Sequence, residues 1–135
     1  MPSEFHGLRA LVVDDYEHVR KRLTEALRNL EVQVTEADNG LEAIAKLREE
    51  TFDILFTDIV MPEMDGFELC EEVRNTPHLI SLPVVVVSTH CDSNYIIKAL
   101  RLGADDYVPK PVDPELLRKV LARAMTPTLP EASNG

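Results

Sequence analysis

The sequence is poor in cysteine and has no long hydrophobic run. Its two cysteines, Cys70 and Cys91, form neither a CxxC pair nor a Cys/His metal spacing, so we expect reduced thiols and a cytoplasmic setting. No apolar run approaches the roughly 20 residues that cross a bilayer, and residues 1–7 lack the apolar stretch of a signal peptide. We therefore expect a cytoplasmic protein without membrane contact.

Basic residues are also scarce relative to acidic ones. The chain has 14 Lys and Arg against 24 Asp and Glu, which gives a formal net charge of −10 at pH 7. Phosphate contacts need clustered Lys and Arg, so this domain is not expected to bind nucleic acid directly. Its 135 residues, of which 44% are hydrophobic, suit one soluble domain with a real core.

What the sequence does contain is a regular alternation of strand and helix patterns. Short apolar runs predict strands, and apolar residues at helical spacing, such as Val19, Leu23 and Leu27, predict helices. The predicted strands are 8–13, 32–37, 52–57, 82–88 and 106–109. The predicted helices are 16–30, 41–50, 67–75, 94–102 and 114–125. This order implies right-handed crossovers and an α/β fold, a doubly wound five-stranded parallel sheet covered on both faces.

Several residues mark where these elements begin, end or face the core. Asn39 is a candidate cap for the second helix, Gly103 suits a left-handed end to the fourth, and Pro114 fits the first position of the last. Ala45 is predicted to face inward with its apolar neighbours in the second helix. Residues 82–88, the most β-branched stretch, are predicted to form the centre of the sheet.

Acidic, hydroxyl and basic side chains follow four of the predicted strands at their carboxyl ends. These residues are Asp14 and Asp15, Asp58, Ser88, and Lys110. In a parallel sheet such ends meet at one edge, where the ligand sites of this fold class lie. Three carboxylates at that density repel one another unless a cation joins them, and an all-oxygen ligand set suits Mg²⁺. The sequence therefore predicts a magnesium site at this edge.

The same cluster is suited to phosphoryl chemistry. A carboxylate can attack phosphorus to give a mixed anhydride, provided that the charge on the phosphoryl group is neutralised. Lys110 would supply positive charge to a phosphoryl oxygen, and Ser88 could donate a hydrogen bond to it. Each residue alone has an ordinary explanation, such as a helix cap for the Asp14–Asp15 pair. Their joint placement at four strand ends favours a site.

These residues lie in motifs that resemble the receiver domain of two-component response regulators, over about residues 8–125. The matching motifs are Leu11-Val12-Val13-Asp14-Asp15, Thr57-Asp58-Ile59-Val60-Met61-Pro62-Glu63-Met64-Asp65-Gly66, Ser88-Thr89, Gly103-Ala104-Asp105-Asp106-Tyr107 and Lys110-Pro111. The resemblance implies a flavodoxin-like (βα)5 fold, like that of chemotaxis regulators, with strand order 2-1-3-4-5. We expect the receiver domain to be residues 1–125. Residues 126–135 are polar and contain Pro127 and Pro130, so we expect a flexible tail or the start of a linker there.

The resemblance also assigns roles to the acidic residues. Asp58 is the implied phosphoacceptor in a Mg²⁺-dependent transfer. Asp15, Asp58 and the backbone carbonyl of Val60 would bind the Mg²⁺ directly, and Asp14 would hold it through water. A receiver of this kind is a phosphoprotein that carries a 4-aspartylphosphate and takes part in phosphorelay signal transduction.

Three further residues would respond to the phosphoryl group. Lys110 would contact it from a position before Pro111, whose peptide bond is cis in the family. Ser88 is the implied switch hydroxyl, and Tyr107 is the switch aromatic that turns inward on activation. The resemblance thus implies a switch that catalyses only its own phosphotransfer and dephosphorylation, and not an enzyme acting on other substrates.

The implied partners are of two kinds. A sensor histidine kinase or a histidine phosphotransfer protein would donate the phosphoryl group from a phosphohistidine. It would contact the first helix near Tyr16, His18, Val19 and Arg22. An output domain or partner protein would bind the face formed by the fourth helix, fifth strand and fifth helix. The candidate residues of this face are Ile96, Leu100, Arg101, Lys119 and Arg123. This face could also form a homodimer on activation.

The residues leave three alternatives. An aspartyl phosphatase would usually have a second acid two residues after Asp58, where Val60 stands. A flavin-binding domain would need a loop rich in Gly, Ser and Thr after the first strand, where Asp14-Asp15-Tyr16 stands. A receiver-like module that is never phosphorylated would not need all five types of site residue.

The chain departs from the family pattern at Thr89, where Ala is usual.

Overall fold

Strands and helices alternate along the chain as predicted. The computed structural model describes residues 3–90 and 92–126. Its strands are β1 (Arg9–Val13), β2 (Gln33–Ala37), β3 (Ile54–Thr57), β4 (Val84–Ser88) and β5 (Asp106–Pro109). Its helices are α1 (Glu17–Asn29), α2 (Gly40–Glu49), α3 (Gly66–Arg74), α4 (Ser93–Arg101) and α5 (Pro114–Met125), with a short 3-10 helix at Pro77–Leu79. Each predicted strand and helix boundary lies within about two residues of the observed one.

The five strands form one parallel sheet in the order β2-β1-β3-β4-β5, so the predicted strand order is confirmed. The prediction that residues 82–88 form the sheet centre is wrong, because β3 is central and β4 lies between β3 and β5. β4 has the composition of a central strand because all of its residues are buried. The register pairs Val13 with Thr57 and Thr57 with Val86, which brings three carboxyl ends to one edge.

Helices cover both faces of the sheet, and each face has its own hydrophobic core. On one face Leu11 and Leu55 pack with α2, α3 and α4. On the other face Val12 and Phe56 pack with α1 and α5, including Leu117. Successive strand residues point to opposite faces, and both faces are apolar, so the strands read as continuous hydrophobic runs. Because both faces of the sheet are covered by apolar side chains, polar functional groups can lie only at its edges.

Side-chain caps fix the starts of several helices. Asn39 accepts a hydrogen bond from the Glu42 N–H, as predicted. Asp113 caps α5 in the same way, directly before Pro114 at the first helical position. Asp65 starts α3 with a reciprocal capping box. These caps satisfy N–H groups that have no partner within the helix. They also fix the residue at which each helix begins after its loop.

Two sequence predictions about helix geometry have different outcomes. Gly103, which follows α4, has a φ of +117°, as its predicted left-handed role requires. Ala45 is exposed, so the prediction that it faces inward is wrong. Ala43 is buried in its place, on the same side of α2 as Ile44 and Leu47. Alanine occurs on both faces of this helix, so its apolar character gives a weak signal of orientation.

An aromatic side chain before the first strand completes the second core. Phe5 is 3% exposed and packs in the cluster between the sheet, α1 and α5. The Gly7 N–H donates a hydrogen bond to the Glu31 carbonyl, and His6 contacts the Glu31 carboxylate. Residues 5–7 are therefore packed against the rest of the domain, a feature that the sequence analysis did not predict.

Cys70 of α3 is fully buried in the first core. Burial raises the pKa of its thiol to about 11, so the side chain is a protonated, apolar core residue at neutral pH. Within residues 3–90 and 92–126, no helix has the length and apolarity needed to cross a membrane. The predicted tail lies outside the described residues except for Thr126, which ends α5.

Candidate functional site

Three carboxylates meet at the carboxyl edge of the sheet. Asp14 and Asp15 follow β1, and Asp58 follows β3, its neighbour in the sheet. One oxygen from each carboxylate lies within 4.8 Å of the other two. Asp14 and Asp58 are buried, at 5% and 7% exposure, and Asp15 is half-buried. The structure thus brings together the acidic residues that the sequence placed at these strand ends.

Lys110 joins two of these carboxylates from the loop after β5. Its Nζ lies 2.5 Å from Asp14 Oδ2 and 3.2 Å from Asp58 Oδ2, and only 12% of its side chain is exposed. Its backbone N–H donates a hydrogen bond to the Ser88 carbonyl. The Lys110–Pro111 peptide bond is cis. The lysine therefore brings one positive charge into a pocket of three negative ones.

Burial and charge shift the pKa values of this cluster. Burial raises the pKa of Asp58; the nearby Lys110 ammonium opposes this shift without cancelling it, and the Asp14 charge adds to it. Burial alone would lower the pKa of Lys110, but its contacts with Asp14 and Asp58 outweigh burial and raise it. The Ile59 N–H donates a 2.7 Å hydrogen bond to Asp58 Oδ1. Lys110 therefore stays positively charged. Ionisation of Asp58, by contrast, costs more free energy in the protein than it would in water.

The acid pair is also held from α1, through a residue that the sequence analysis missed. Arg20 Nη1 donates a 2.7 Å hydrogen bond to the Asp14 carbonyl, and its Nε donates one of 2.6 Å to Glu36 of β2. Burial alone would raise the pKa of Glu36, but hydrogen bonds from Arg20 and Lys21 hold it below its usual value. The Tyr16 N–H donates to Asp14 Oδ1. The sequence signal that could have predicted this pair is a basic residue, Arg20, on the first helix together with an acidic residue, Glu36, on the second strand.

The donor set fits a hard divalent cation. Oδ1 of Asp15 is buried and has no hydrogen-bond partner among the described residues. An unpaired carboxylate oxygen inside a protein needs a cation or another donor. Three carboxylates offer oxygen ligands only, which suits Mg²⁺ better than zinc or copper. The cluster of Asp14, Asp15 and Asp58 could therefore bind a metal ion.

The loop after Asp58 is held close to the cluster by two glycines. The Gly66 N–H donates a 2.7 Å hydrogen bond to the Ile59 carbonyl, and the Gly40 N–H donates one of 3.2 Å to the Met64 carbonyl. A Cβ added at Gly66 would lie 2.2 Å from the Asp58 carbonyl oxygen, so only glycine fits there. This loop carries Val60, which is 53% exposed beside the site.

A cavity of about 520 Å³ opens over the cluster. Asp15, Asp58 and Lys110 supply its charged groups. The remaining lining residues are Tyr16, Val19, Val60, Met61, Pro62, Thr89 and His90. A larger cleft, of about 730 Å³, lies beside Arg9 and residues 47–53, away from the acid cluster. The smaller cavity is the better candidate site because it contains the titratable groups that contact one another.

Ser88 is the last residue of β4, and Tyr107 lies on the neighbouring strand β5, with its hydroxyl near the end of β4. Ser88 is buried, and its Oγ accepts a 3.1 Å hydrogen bond from the His90 N–H. The Tyr107 hydroxyl donates to the His90 carbonyl at 2.8 Å, with the Ser88 carbonyl at 3.2 Å. Tyr107 is half-buried, as expected for a strand aromatic. The two predicted switch residues thus meet at the loop that carries His90.

Comparisons with known proteins bear on the family of this chain. The sequence matches the family described as "Response regulator receiver domain" over residues 10–122. Two-component response regulator ARR12 of Arabidopsis thaliana is 39% identical over 116 residues, which are 84% of this chain and 19% of that protein. The chain therefore spans about a fifth of the length of this plant regulator. Protein PilH of Pseudomonas aeruginosa is 35% identical over 113 residues, which are 84% of this chain and 93% of PilH.

Solved structures agree with the sequence relatives. Chemotaxis protein CheY4 of Vibrio cholerae has a TM-score of 0.83 and 30% identity, over 88% of this chain and 99% of CheY4. A response regulator receiver domain protein of Methanospirillum hungatei has a TM-score of 0.78 and 28% identity, over 87% of this chain and 94% of that chain. Together with the 2-1-3-4-5 sheet and the carboxylate cluster, these matches establish that the chain belongs to the response regulator receiver domain family.

Proposed function

We propose that this chain is a phosphorylation-dependent signalling switch that accepts a phosphoryl group on Asp58. The observation that carries the proposal is the contact of one buried carboxylate with Lys110, with two further carboxylates close by. The donor would be the phosphohistidine of a sensor histidine kinase or of a histidine phosphotransfer protein. The setting would be cytoplasmic, and the domain would contact neither membrane nor nucleic acid.

Asp58 has the environment of a nucleophile. The Ile59 N–H fixes Oδ1, and Oδ2 contacts the Lys110 ammonium. In the transfer, an Asp58 oxygen forms a bond to phosphorus while the bond from phosphorus to the histidine nitrogen breaks, and the bonding electrons go to that nitrogen. The other ring nitrogen of the phosphohistidine carries a proton, so the imidazole leaves as the neutral ring and Asp58 becomes a mixed anhydride. Burial raises the pKa of Asp58, so the ionised carboxylate is less stabilised by its surroundings than one in water and can gain from forming a covalent bond.

Asp15, Asp58 and the backbone carbonyl of Val60 would hold Mg²⁺, with Asp14 binding it through water. When bound, the ion would neutralise charge on the transferring phosphoryl group. The orphaned oxygen of Asp15 supports this assignment. Asp14 is well suited to an indirect role because Lys110 and the Tyr16 N–H already occupy its two oxygens.

Lys110 and Ser88 would bind the phosphoryl group. The Lys110 ammonium would exchange a carboxylate contact for a phosphoryl oxygen, which carries more negative charge. The Ser88 hydroxyl can donate a hydrogen bond to the phosphoryl group while its oxygen keeps the His90 N–H. Tyr107 of β5 contacts the same loop through the His90 carbonyl. A shift of Ser88 would therefore change the position of Tyr107 and alter the face formed by α4, β5 and α5.

That face would carry the output. It would control an output domain or a partner protein, and it could form a homodimer on activation. Ile97 and Leu100 of α4 are exposed apolar residues, at 47% and 48%, and Arg123 of α5 pairs with Asp106 of β5. The kinase or phosphotransfer protein would approach through α1, where Tyr16 is 62% exposed beside the cavity. Autodephosphorylation would be the only hydrolysis that the domain catalyses.

The test is the intact mass of the protein after incubation with Mg²⁺ and a small-molecule phosphodonor. We expect a single phosphoryl adduct that hydroxylamine removes. Asp58→Asn should show no adduct, and Asp38→Asn, which changes an exposed carboxylate after β2, should behave like the wild type. An adduct that persists in Asp58→Asn would contradict the assignment of the phosphoacceptor. EDTA should prevent the reaction in every variant.

A further inference from the structure

One arginine side chain joins the loop of the acid cluster to the neighbouring strand β2. Arg20 Nη1 donates a 2.7 Å hydrogen bond to the Asp14 carbonyl, and Arg20 Nε donates one of 2.6 Å to Glu36 Oε1. The two charged side chains are largely covered, with 13% of Arg20 and 15% of Glu36 exposed. Because the guanidinium group is planar and rigid, these two bonds fix the Asp14 carbonyl relative to the Glu36 carboxylate.

Glu36 is a firm anchor for this bridge. It lies in β2, where it pairs in register with Val12 of β1, two residues before Asp14. Burial alone would raise the pKa of Glu36, but hydrogen bonds from Arg20 and Lys21 lower it, so the carboxylate is ionised at neutral pH. The bridge to Asp14 therefore starts from a charged group whose backbone is held in the sheet.

The other end of the bridge is the peptide group between Asp14 and Asp15. A peptide group is planar, so a bond that holds the Asp14 carbonyl oxygen also orients the nitrogen and Cα of Asp15. Asp15 Oδ1 is buried and has no hydrogen-bond partner among the described residues. The direction of this oxygen therefore depends on the backbone that carries it, and Arg20 holds that backbone.

We infer that Arg20 is a positioning residue for Mg²⁺: by holding the peptide group between Asp14 and Asp15 against Glu36, it directs the Asp15 carboxylate into the acid cluster and raises the affinity for the ion. This inference rests on the proposed Mg²⁺ site and adds to it a residue that does not bind the ion itself. Loss of a group that orients a metal ligand typically lowers the affinity by about tenfold to a hundredfold.

The direction of the effect separates positioning from charge. Arg20 is positively charged and contacts the loop of the acid cluster, so by charge alone its removal would strengthen the binding of a cation. Positioning predicts weaker binding, because Asp15 loses its direction. Lys21 offers the matched comparison: it carries the same charge on the same helix and pairs with the same Glu36, but it makes this contact with Glu36 rather than with Asp14.

The test is the dissociation constant of Mg²⁺ in the unphosphorylated protein, measured by NMR from the amide shifts as magnesium chloride is added. Arg20→Met should bind Mg²⁺ about tenfold more weakly than the wild type, because both donors are lost. Lys21→Met should stay within about twofold of the wild type, because it removes only an exposed contact. Arg20→Lys keeps the charge without the planar fork and should also bind Mg²⁺ more weakly than the wild type.

The same samples separate positioning from a loss of folding. Amide spectra and urea unfolding would establish that each variant is folded at the temperature of the titration. If Arg20→Met fails to fold, Arg20→Lys carries the test, because it keeps the charge and most of the length of the side chain. An arginine with a merely structural role would lower the free energy of unfolding and leave the dissociation constant of the folded protein unchanged.

Several results would overturn the inference. They are binding in Arg20→Met that is as tight as in the wild type or tighter, an equal loss of affinity in Lys21→Met, or an Arg20→Lys protein that matches the wild type. A wild type whose amide signals do not respond to Mg²⁺ would overturn the proposed metal site and the inference with it. A wild type that binds Mg²⁺, beside a folded Arg20→Met protein that binds it equally well, would overturn the inference alone.

Discussion

The Lys110 ammonium lies 2.5 Å from Asp14 Oδ2, although the two residues are 96 positions apart in the chain. Asp14 follows β1 and Lys110 follows β5, and β3 and β4 lie between those strands in the sheet. The contact therefore spans the site from one side to the other. It makes the acid cluster and the lysine a single electrostatic unit, so a change to one member alters the others.

The first prediction concerns the charge that Lys110 adds to the metal site. Lys110→Met should strengthen Mg²⁺ binding by about tenfold at low ionic strength, because the site loses a positive charge that repels the cation. Isothermal titration calorimetry in the absence of a phosphodonor would measure the dissociation constant. Lys98→Met, which changes a lysine stacked on Phe67, should leave Mg²⁺ binding unchanged. Weaker binding in Lys110→Met would mean that the lysine supports the ligands.

The second prediction concerns the stability of the metal-free protein. Burial raises the pKa of Asp58, so its folded state favours the protonated carboxyl. This contribution to stability is present below the unfolded pKa, about 3.9, and is lost as pH rises through the folded pKa. At pH 7 with EDTA, Asp58→Asn should therefore raise the free energy of unfolding by about 1 kcal/mol.

Urea unfolding at several pH values would test this second prediction. The difference between Asp58→Asn and the wild type should shrink as pH falls and should vanish when the carboxyl is protonated in both states. Asp38→Asn provides the matched control at an exposed position on the same sheet edge. A variant less stable than the wild type at pH 7 would show that the Lys110 contact outweighs burial.

A third prediction concerns Arg20, which supports the acid pair from α1. Arg20→Met should lower the free energy of unfolding by about 2 kcal/mol, because it leaves the mostly buried Glu36 carboxylate and the Asp14 carbonyl without their guanidinium donor. Lys21→Met removes a more exposed contact with the same Glu36 and should cost no more than about 0.5 kcal/mol. Chemical unfolding of both variants would measure the difference, and equal costs would refute the role given to Arg20.

A fourth prediction concerns the close approach behind Asp58. Gly66→Ala places a Cβ at 2.2 Å from the Asp58 carbonyl oxygen, so the loop that carries Val60 must move. The free energy of unfolding should fall by about 3 kcal/mol, in the range of an overpacked core position. Gly7→Ala is the control, because no atom lies within 4 Å of its added Cβ, and its positive φ should cost only about 1 kcal/mol. A well-folded Gly66→Ala protein with unchanged Mg²⁺ affinity would refute the prediction.

Much of this architecture could be predicted because the signals are local. The cap at Asn39, the turn at Gly103 and the start at Pro114 each rest on one residue type with one backbone preference. The convergence of Asp14 and Asp58 follows from a general rule of parallel sheets, applied to strands whose runs are unambiguous.

The remaining features depend on contacts between distant segments. The pairing of Arg20 with Glu36 needs side-chain directions that spacing along the chain does not specify. Ala45 was misplaced because a small side chain gives little periodic signal. Phe5 was missed because it is a single aromatic in a polar segment with no repeating pattern.

The burial of Phe5 has a practical consequence for any attempt to isolate this domain. The stretch that matches the family begins at residue 10, so a protein trimmed to that match would lose an aromatic side chain that is 97% covered. The vacated space lies between α1 and α5, far from the chemistry. Such a protein should therefore keep its active-site residues and yet melt at a lower temperature, and a recombinant version should start no later than Ser3.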